Sequence, residues 1–312
     1  MGKAKVYIDG QSGTTGLQIV ERIEARDDVE LLRIDEDKRR DADARRELIA
    51  AADVAFLCLP DDAAREAVEL AAGTDTRIID ASTAHRTAPG WVYGFPELGP
   101  GQRERIADSR RIANPGCHAT GFIACVAPLV ACGLLPSDYP FSCFSLTGYS
   151  GGGKKTIAAY EKPGRAGELS APGVYARGLA HKHLPEMQQV CGLAHPPAFL
   201  PVIDDYFCGM AVGVTLHSRL LPGAPHAREL REALARHYEG ARFVEVAPFA
   251  EEPPTLYASE LAGTNRLRIE ASGNAERSCL VALFDNLGKG ASGAAVQNMN
   301  ISLGLPEETG LE

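Results

Sequence analysis

Residues 5–26 read KVYIDGQSGTTGLQIVERIEAR. A short apolar run, Lys5 to Asp9, ends on a turn carrying Gly10, Gly13 and Gly16. The following segment, Gly16 to Arg26, puts Leu17, Val20 and Ile23 on one helical face. Strand, glycine turn and helix in that order are the opening unit of a dinucleotide-binding fold. The first glycine allows the tight turn, the second admits a pyrophosphate close to the backbone, and the third lets helix pack on strand. The helix start then offers N–H groups and a positive dipole end to phosphate. Thr14 and Thr15 can add hydroxyl donors, and Ser12 lies in the same turn.

The alternation continues. Val29 to Ile34, Val54 to Leu59 and Arg77 to Asp80 read as strands, with helices at Ala44 to Ala52 and Ala63 to Ala72. The apolar run VAFLCL between Asp53 and Pro60 suits a strand buried on both faces. The predicted fold class is α/β: a Rossmann-like, doubly wound parallel sheet with its ligand crevice at the C-terminal strand ends. From about residue 120 the pattern changes. A helix at Thr120 to Cys132 leads to longer strand-like runs at Phe141 to Thr147, Gly209 to Leu216, Leu267 to Ser272 and Cys279 to Phe284, with a helix at Arg228 to Tyr238. This predicts an α+β second domain with a mixed sheet. The tail, Ala291 to Leu303, reads as a helix whose start is small enough to approach another backbone. The expected division is residues 1–121 and 286–312 for the nucleotide domain, and 122–285 for a substrate and dimerisation domain.

Length agrees, since 312 residues suit two domains. A net charge of −9 argues against a nucleic-acid or basic membrane-surface protein. The longest uncharged stretch, Ile112 to Ser137, is broken by Pro115, Gly116, Pro128, Gly133 and Pro136, which does not suit a membrane span. The first residues, MGKAKVYIDG, enter a strand without a signal-peptide core, so a cytoplasmic location is expected. Of eight cysteines most lie in apolar runs, and no CxxC occurs; they read as buried hydrophobes.

Cys117 differs. It follows Asn114-Pro115-Gly116 at the start of a helix. A helix N-terminus favours thiolate, and its backbone N–H groups can hold an oxyanion formed when that thiolate attacks a carbonyl carbon. The proton carrier is expected in His181-Lys182-His183-Leu184-Pro185-Glu186, where His-x-His on an extended segment would place both rings on one face. Two histidines and a glutamate could also ligate zinc, but no second Cys/His pair has ligand spacing, so no metal is expected. The second strand leaves the nucleotide choice open: Asp35 suits a ribose diol, whereas Arg33, Lys38, Arg39 and Arg40 suit a 2′-phosphate. A cofactor-free Cys/His hydrolase or acyltransferase and a non-catalytic nucleotide sensor are the rival classes.

Several long motifs in one order resemble the N-acetyl-gamma-glutamyl-phosphate reductase family, in the shorter of its two forms, within the aspartate-semialdehyde dehydrogenase-like superfamily. They are GQSGTTGLQI (10–19), CLPDDAAREA (58–67), DASTAHRTAPGWVYGFPEL (80–98), NPGCHATGF (114–122), GYSGGGKK (148–155), HKHLPEM (181–187) and DNLGKGASGAAVQNMN (285–300). The resemblance implies NADPH-dependent reduction of N-acetyl-L-glutamyl 5-phosphate to the 5-semialdehyde and phosphate, through a cysteine thioester, in arginine biosynthesis. Related acyl-phosphate reductases are the close alternative. It makes Cys117 the nucleophile and His181 the acid/base. His183, Glu186 and Asn114 would line the substrate site, and Arg86, or less directly Lys289, would meet the substrate phosphate. Pro60, Ser82, Ser150, Gly151, Gly152 and Asn298 would join the glycine turn at the cofactor, which the family takes as NADP. A homodimer or homotetramer is implied. Two departures stand out: Asp35 is acidic near the expected 2′-phosphate, and His118-Ala119 replaces the aromatic residue and proline frequent after the cysteine.

Overall fold

The computed structural model describes residues 2–311. The chain divides into two compact units. The first holds the described residues up to Pro96, then Gly101–Pro115, then those from Ala291 onward; the second holds Glu97–Pro100 and Gly116–Gly290.

In the first unit the strands are β1 (Ala4–Asp9), β2 (Val29–Leu32), β3 (Val54–Leu57), β4 (Arg77–Asp80), β5 (Val92–Tyr93) and β6 (Arg111–Ala113). The helices are α1 (Thr14–Glu24), α2 (Ala42–Ala51), α3 (Asp61–Leu70) and α4 (Gln102–Asp108). The strands form one sheet in the order β2-β1-β3-β4-β6-β5, and every pair is parallel. Because β2 lies on one side of β1 and β3 on the other, the order reverses at β1. The crevice of such a sheet opens where the order reverses, at the glycine turn after Asp9. All four residues of β3 are buried, as a strand covered on both faces requires. A core cluster against it gathers Tyr7, Ile49, Leu57, Ala67, Leu70 and Ile78.

The second unit carries α5 (Cys117–Ala131), β7 (Ser142–Gly148), α6 (Gly153–Glu161), β8 (Gly173–Val174), α7 (Leu184–Val190), β9 (Ala198–Asp204), β10 (Met210–His217), α8 (Ala227–His237), β11 (Val244–Val246), β12 (Leu267–Gly273) and β13 (Arg277–Phe284). Its sheet is mixed, in the order β11-β12-β13-β10-β7-β9-β8. Helix α5 lies on β10 and β13, with α7 and α8 packed against it. The fit is close: a Cβ at Gly121 would come within 2.6 Å of Val212 and 2.8 Å of Phe284. This packing sets the boundary of the unit. Residues 116–121 start α5 and belong with the second sheet, and Gly290 packs on Phe284, so the compact units meet at 115/116 and 290/291, not at the expected 121/122 and 285/286.

The last helix, α9 (Gly293–Ser302), follows a π turn at Gly288–Ser292 and packs on α4, β4 and α1 in the first unit. Ser292 Oγ donates to Gln18 at 2.9 Å, and Asn300 accepts from Arg26 at 2.7 Å.

Candidate active site

The glycine turn separates into two kinds of glycine. Gly10 has φ of 87°, and a Cβ there would lie 2.3 Å from the Cys58 carbonyl oxygen. At Gly16 a Cβ would lie 2.5 Å from the Gly10 carbonyl oxygen. The fold itself demands both. Gly13 has φ of −73°, and a Cβ there would be 3.5 Å from its nearest neighbour, an ordinary contact. The bare backbone at Gly13 is therefore not required by packing; it leaves room for something outside the chain. Gly13 caps α1 with no side-chain hydrogen bond, and Thr14 Oγ1 and Gln11 Nε2 are buried without a partner. Uncapped amides, a glycine cradle and orphaned donors fit a dinucleotide pyrophosphate. At the neighbouring strand ends, Pro60 caps α3, and Ser82 donates both its N–H and its hydroxyl to Asp80.

Beyond β2, Arg33 pairs with Glu24, Lys38 with Asp35 at 3.2 Å, and Arg39 with Glu36 at 3.2 Å. All six side chains are exposed. Exposed pairs of this kind contribute about 0–1 kcal/mol, so exchanging one for a phosphate is cheap.

The thiol site is built in the second unit. Gly116 caps α5 and Cys117 is its first residue, so the helix begins three residues before the expected Thr120. Gly290 lies against the thiol residue: a Cβ there would be 3.0 Å from Cys117 Cβ. The Gly116 N–H donates to Glu186 Oε2 at 3.1 Å, and Glu186 is buried. His181 and His183 do not lie on an extended segment as expected. They form a turn entering α7, with His183 as its cap and Pro185 in its first turn. The turn still brings the rings together, centroids 4.7 Å apart, and the His183 N–H donates to His181 Nδ1 at 3.1 Å. With Nδ1 accepting, the neutral His181 ring carries its proton on Nε2.

Sequence reasoning did not assign a role to the residue at the centre of this cluster. His118 is buried, with Nδ1 2.7 Å from Ser145 Oγ and Nε2 2.8 Å from Tyr175 Oη. Its ring meets those of His181 at 5.3 Å and His183 at 5.5 Å. Its position beside Cys117 was the available signal; Ser145 and Tyr175 carried none.

Other expected residues are placed as follows. Ser150 is buried and accepts from Asn286 Nδ2 at 3.0 Å, and Gly151 and Gly152 complete its 3-10 turn. In the first unit Asn298 Nδ2 donates to the Gly94 carbonyl and to Asn114 Oδ1, while its own Oδ1 is buried without a partner. Arg86 donates to the carbonyls of Asn114 and Ala81, each at 3.0 Å. Lys289 is fully buried, with Nζ 2.8 Å from both carboxylate oxygens of Glu97. That ammonium is committed to an internal ion pair, which makes Arg86 the stronger phosphate candidate. Among the described residues no group of three His, Cys, Asp or Glu side chains is arranged to hold a metal ion.

Known proteins agree with this layout. The chain is 50% identical, over 322 aligned residues covering 100% of both chains, to N-acetyl-gamma-glutamyl-phosphate reductase 2 of Nostoc sp.. It belongs to the N-acetyl-gamma-glutamyl-phosphate reductase family. The family's enzyme 2 from Pseudomonas putida is 50% identical over 309 residues, 98% of each chain, and that of Brucella ovis is 50% identical over 308, 97% of this chain and 99% of that one. Residues 34–108 match the family described as semialdehyde dehydrogenase, NAD binding domain, and residues 117–286 its dimerisation domain. The N-acetyl-gamma-glutamyl-phosphate reductase assignment makes the chain an NAD(P)-dependent oxidoreductase. Solved structures share the fold: aspartate semialdehyde dehydrogenase II of Vibrio cholerae has a TM-score of 0.73 at 15% identity, covering 97% of this chain and 99% of that one. The Candida albicans enzyme with NADP has a TM-score of 0.64 at 14% identity, over 96% and 98%. Among the described residues no helix is long and apolar enough to cross a membrane.

Proposed function

We propose that the chain reduces N-acetyl-L-glutamyl 5-phosphate to N-acetyl-L-glutamate 5-semialdehyde and phosphate, using NADPH, as a step of arginine biosynthesis in the cytoplasm. The observation that carries the reading is Cys117 as the first residue of α5, between the Gly116–Glu186 hydrogen bond and the histidine cluster. Full-length identity of 50% to reductases of that name supports the substrate.

Gly10, Ser12, Gly13, Thr14, Thr15 and Gly16 would hold the pyrophosphate, and Arg33, Lys38 and Arg39 the 2′-phosphate. Pro60, Ser82, Ser150, Gly151, Gly152 and Asn298 would complete the cofactor site. Bound NADPH supplies the hydride that reduces the acyl carbon.

Cys117 thiolate attacks the acyl phosphate carbon. The N–H groups of the first turn of α5 hold the oxyanion, the C–O bond to phosphate breaks, and a thioester remains. Splitting the reduction this way replaces one difficult step with two easier ones. After reduction the thiohemiacetal C–S bond breaks, aldehyde leaves and thiolate returns. The His181 Nε2–H hydrogen-bonds the oxyanion, sharing its proton as the thiohemiacetal forms and retaining it on collapse. Arg86 meets the substrate phosphate, and Asn114, His183 and Glu186 meet the rest of the substrate. Phe144 and Leu200, opposite each other on β7 and β9, are exposed on one face of the second sheet, which supports pairing of two copies into a homodimer or homotetramer there.

The test is NADP reduction with phosphate and a panel of semialdehydes. N-acetylglutamate semialdehyde should be the preferred substrate, with no turnover when phosphate or arsenate is omitted. Preference for aspartate semialdehyde would overturn the substrate assignment.

A further inference from the structure

We propose that His118 is a positioning residue: by tying the Tyr175 hydroxyl to Ser145, it holds the segment from Tyr175 to His181, and so the His181 imidazole, beside the start of α5. The inference rests on reading Cys117 and His181 as nucleophile and proton carrier. One imidazole here joins three elements. Its backbone is in the first turn of α5, its Nδ1 meets Ser145 on β7, and its Nε2 meets Tyr175 just after β8. Ser145 is fully buried, so the sheet end of the link is anchored.

The segment it would hold requires holding. Ala176 and Leu179 have φ of 48° and 54°, in the left-handed region. Residues with a Cβ enter that region at a cost of about 1–2 kcal/mol each, so contacts elsewhere must maintain it. The Tyr175 N–H gives one anchor, on the Pro201 carbonyl at 3.1 Å, and the Tyr175 hydroxyl on His118 gives a second.

His118 suits the task chemically. Burial first, then the charges of His181 and Lys182, push it down to about 3, so the ring is neutral at neutral pH. A neutral imidazole offers one donor and one acceptor, which matches two hydroxyls that can each do either. Burial and the Cys117 charge raise Tyr175, which keeps its hydroxyl protonated. The titratable groups facing His118 are thus His181, His183, Lys182, Tyr175 and Cys117, and only its neutral form avoids adding positive charge beside His181.

The test uses the full chain carrying His118→Phe, Tyr175→Phe, both together, or His118→Gln. The first readout needs no substrate: the rate of Cys117 alkylation by iodoacetamide against pH, followed on its peptide by mass spectrometry. The second is kcat and KM of phosphate-dependent NADP reduction. Both single phenylalanine variants should bind NADP normally and move the alkylation profile to higher pH. Their kcat should fall roughly 10–100-fold with KM nearly unchanged, within the range general acid–base catalysis supplies. The double variant should be no slower than the worse single one, because the residues act as a unit. His118→Gln, which keeps a donor and an acceptor, should recover part of the rate. A folded His118→Phe with wild-type kcat and alkylation profile would overturn the proposal. Should His118→Phe not fold, Tyr175→Phe, which removes one oxygen, decides on the same readouts. A shifted alkylation profile in a protein with no reductase activity would sink the functional reading and leave the positioning role standing.

Discussion

The backbone N–H of Gly116 donates to the carboxylate of Glu186 at 3.1 Å, one residue before Cys117. The bond ties the start of α5 to the first turn of α7, and both partners are buried. Glu186→Gln keeps an acceptor for Gly116 and should fold normally, with reduced turnover. Glu186→Ala leaves a buried N–H unmet and should cost about 1–3 kcal/mol in urea denaturation. Equal stability of the two variants would show that the bond matters little.

Cys117→Ser should retain NADP binding by fluorescence titration and lose aldehyde oxidation almost entirely. Near-normal turnover would reject the thioester scheme. Iodoacetamide mapping at neutral pH offers a second check. Burial raises the thiol pKa of Cys125, Cys143 and Cys191 well above the ordinary value, so these should stay unlabelled in the native protein while Cys117 reacts.

The glycine turn predicts a contrast. Gly13→Ala meets only an ordinary contact and should leave the melting temperature nearly unchanged while weakening NADPH binding at least tenfold. Gly10→Ala must drive a methyl into the Cys58 carbonyl from a left-handed conformation and should destabilise the fold itself. Tight NADPH binding by a folded Gly13→Ala would argue against a pyrophosphate at that turn.

At the 2′-phosphate, Arg39→Ala should raise KM for NADPH about tenfold, the loss of one charge-assisted hydrogen bond of about 1.5 kcal/mol, and leave KM for NADH unchanged. An equal change for both nucleotides would move the phosphate contact elsewhere.

Stability should fall in acid through His118. Its folded pKa, about 3, lies below the unfolded value of about 6.5, so the unfolded chain binds the extra proton. The linked stability is complete above pH 6.5 and is lost as pH falls toward 3, at up to about 1.4 kcal/mol per pH unit. Denaturation midpoints of wild type and His118→Phe across that window should converge as the pH falls. Parallel curves would show that the ring is not held neutral.

Much of the first unit was legible in the sequence, because its strands are short apolar runs and its turns carry glycine where the backbone needs it. Gly10 and Gly16 are forced by local geometry, and Cys117 by Pro115 and Gly116 before a helix. Strand β9 was not legible: Pro201 inside AFLPVID speaks against a strand. It is tolerated because β9 lies one strand from the sheet edge and Pro201 gives its carbonyl to the Tyr175 N–H. The extended reading of His181 and His183 failed because a helix begins at Leu184, directly after His183, with Pro185 in its first turn.

Sequence alone determined the parallel nucleotide-binding sheet, the cysteine at a helix start and the family, since these rest on local spacing and contiguous motifs. Only the tertiary structure decided that His118 joins Ser145 to Tyr175, that Glu186 accepts from Gly116, and that Lys289 is consumed by Glu97. Those partners lie 27 to 192 residues apart along the chain. A hydrogen bond or ion pair across such a separation exists only after packing has brought its two ends together, and no local pattern records it.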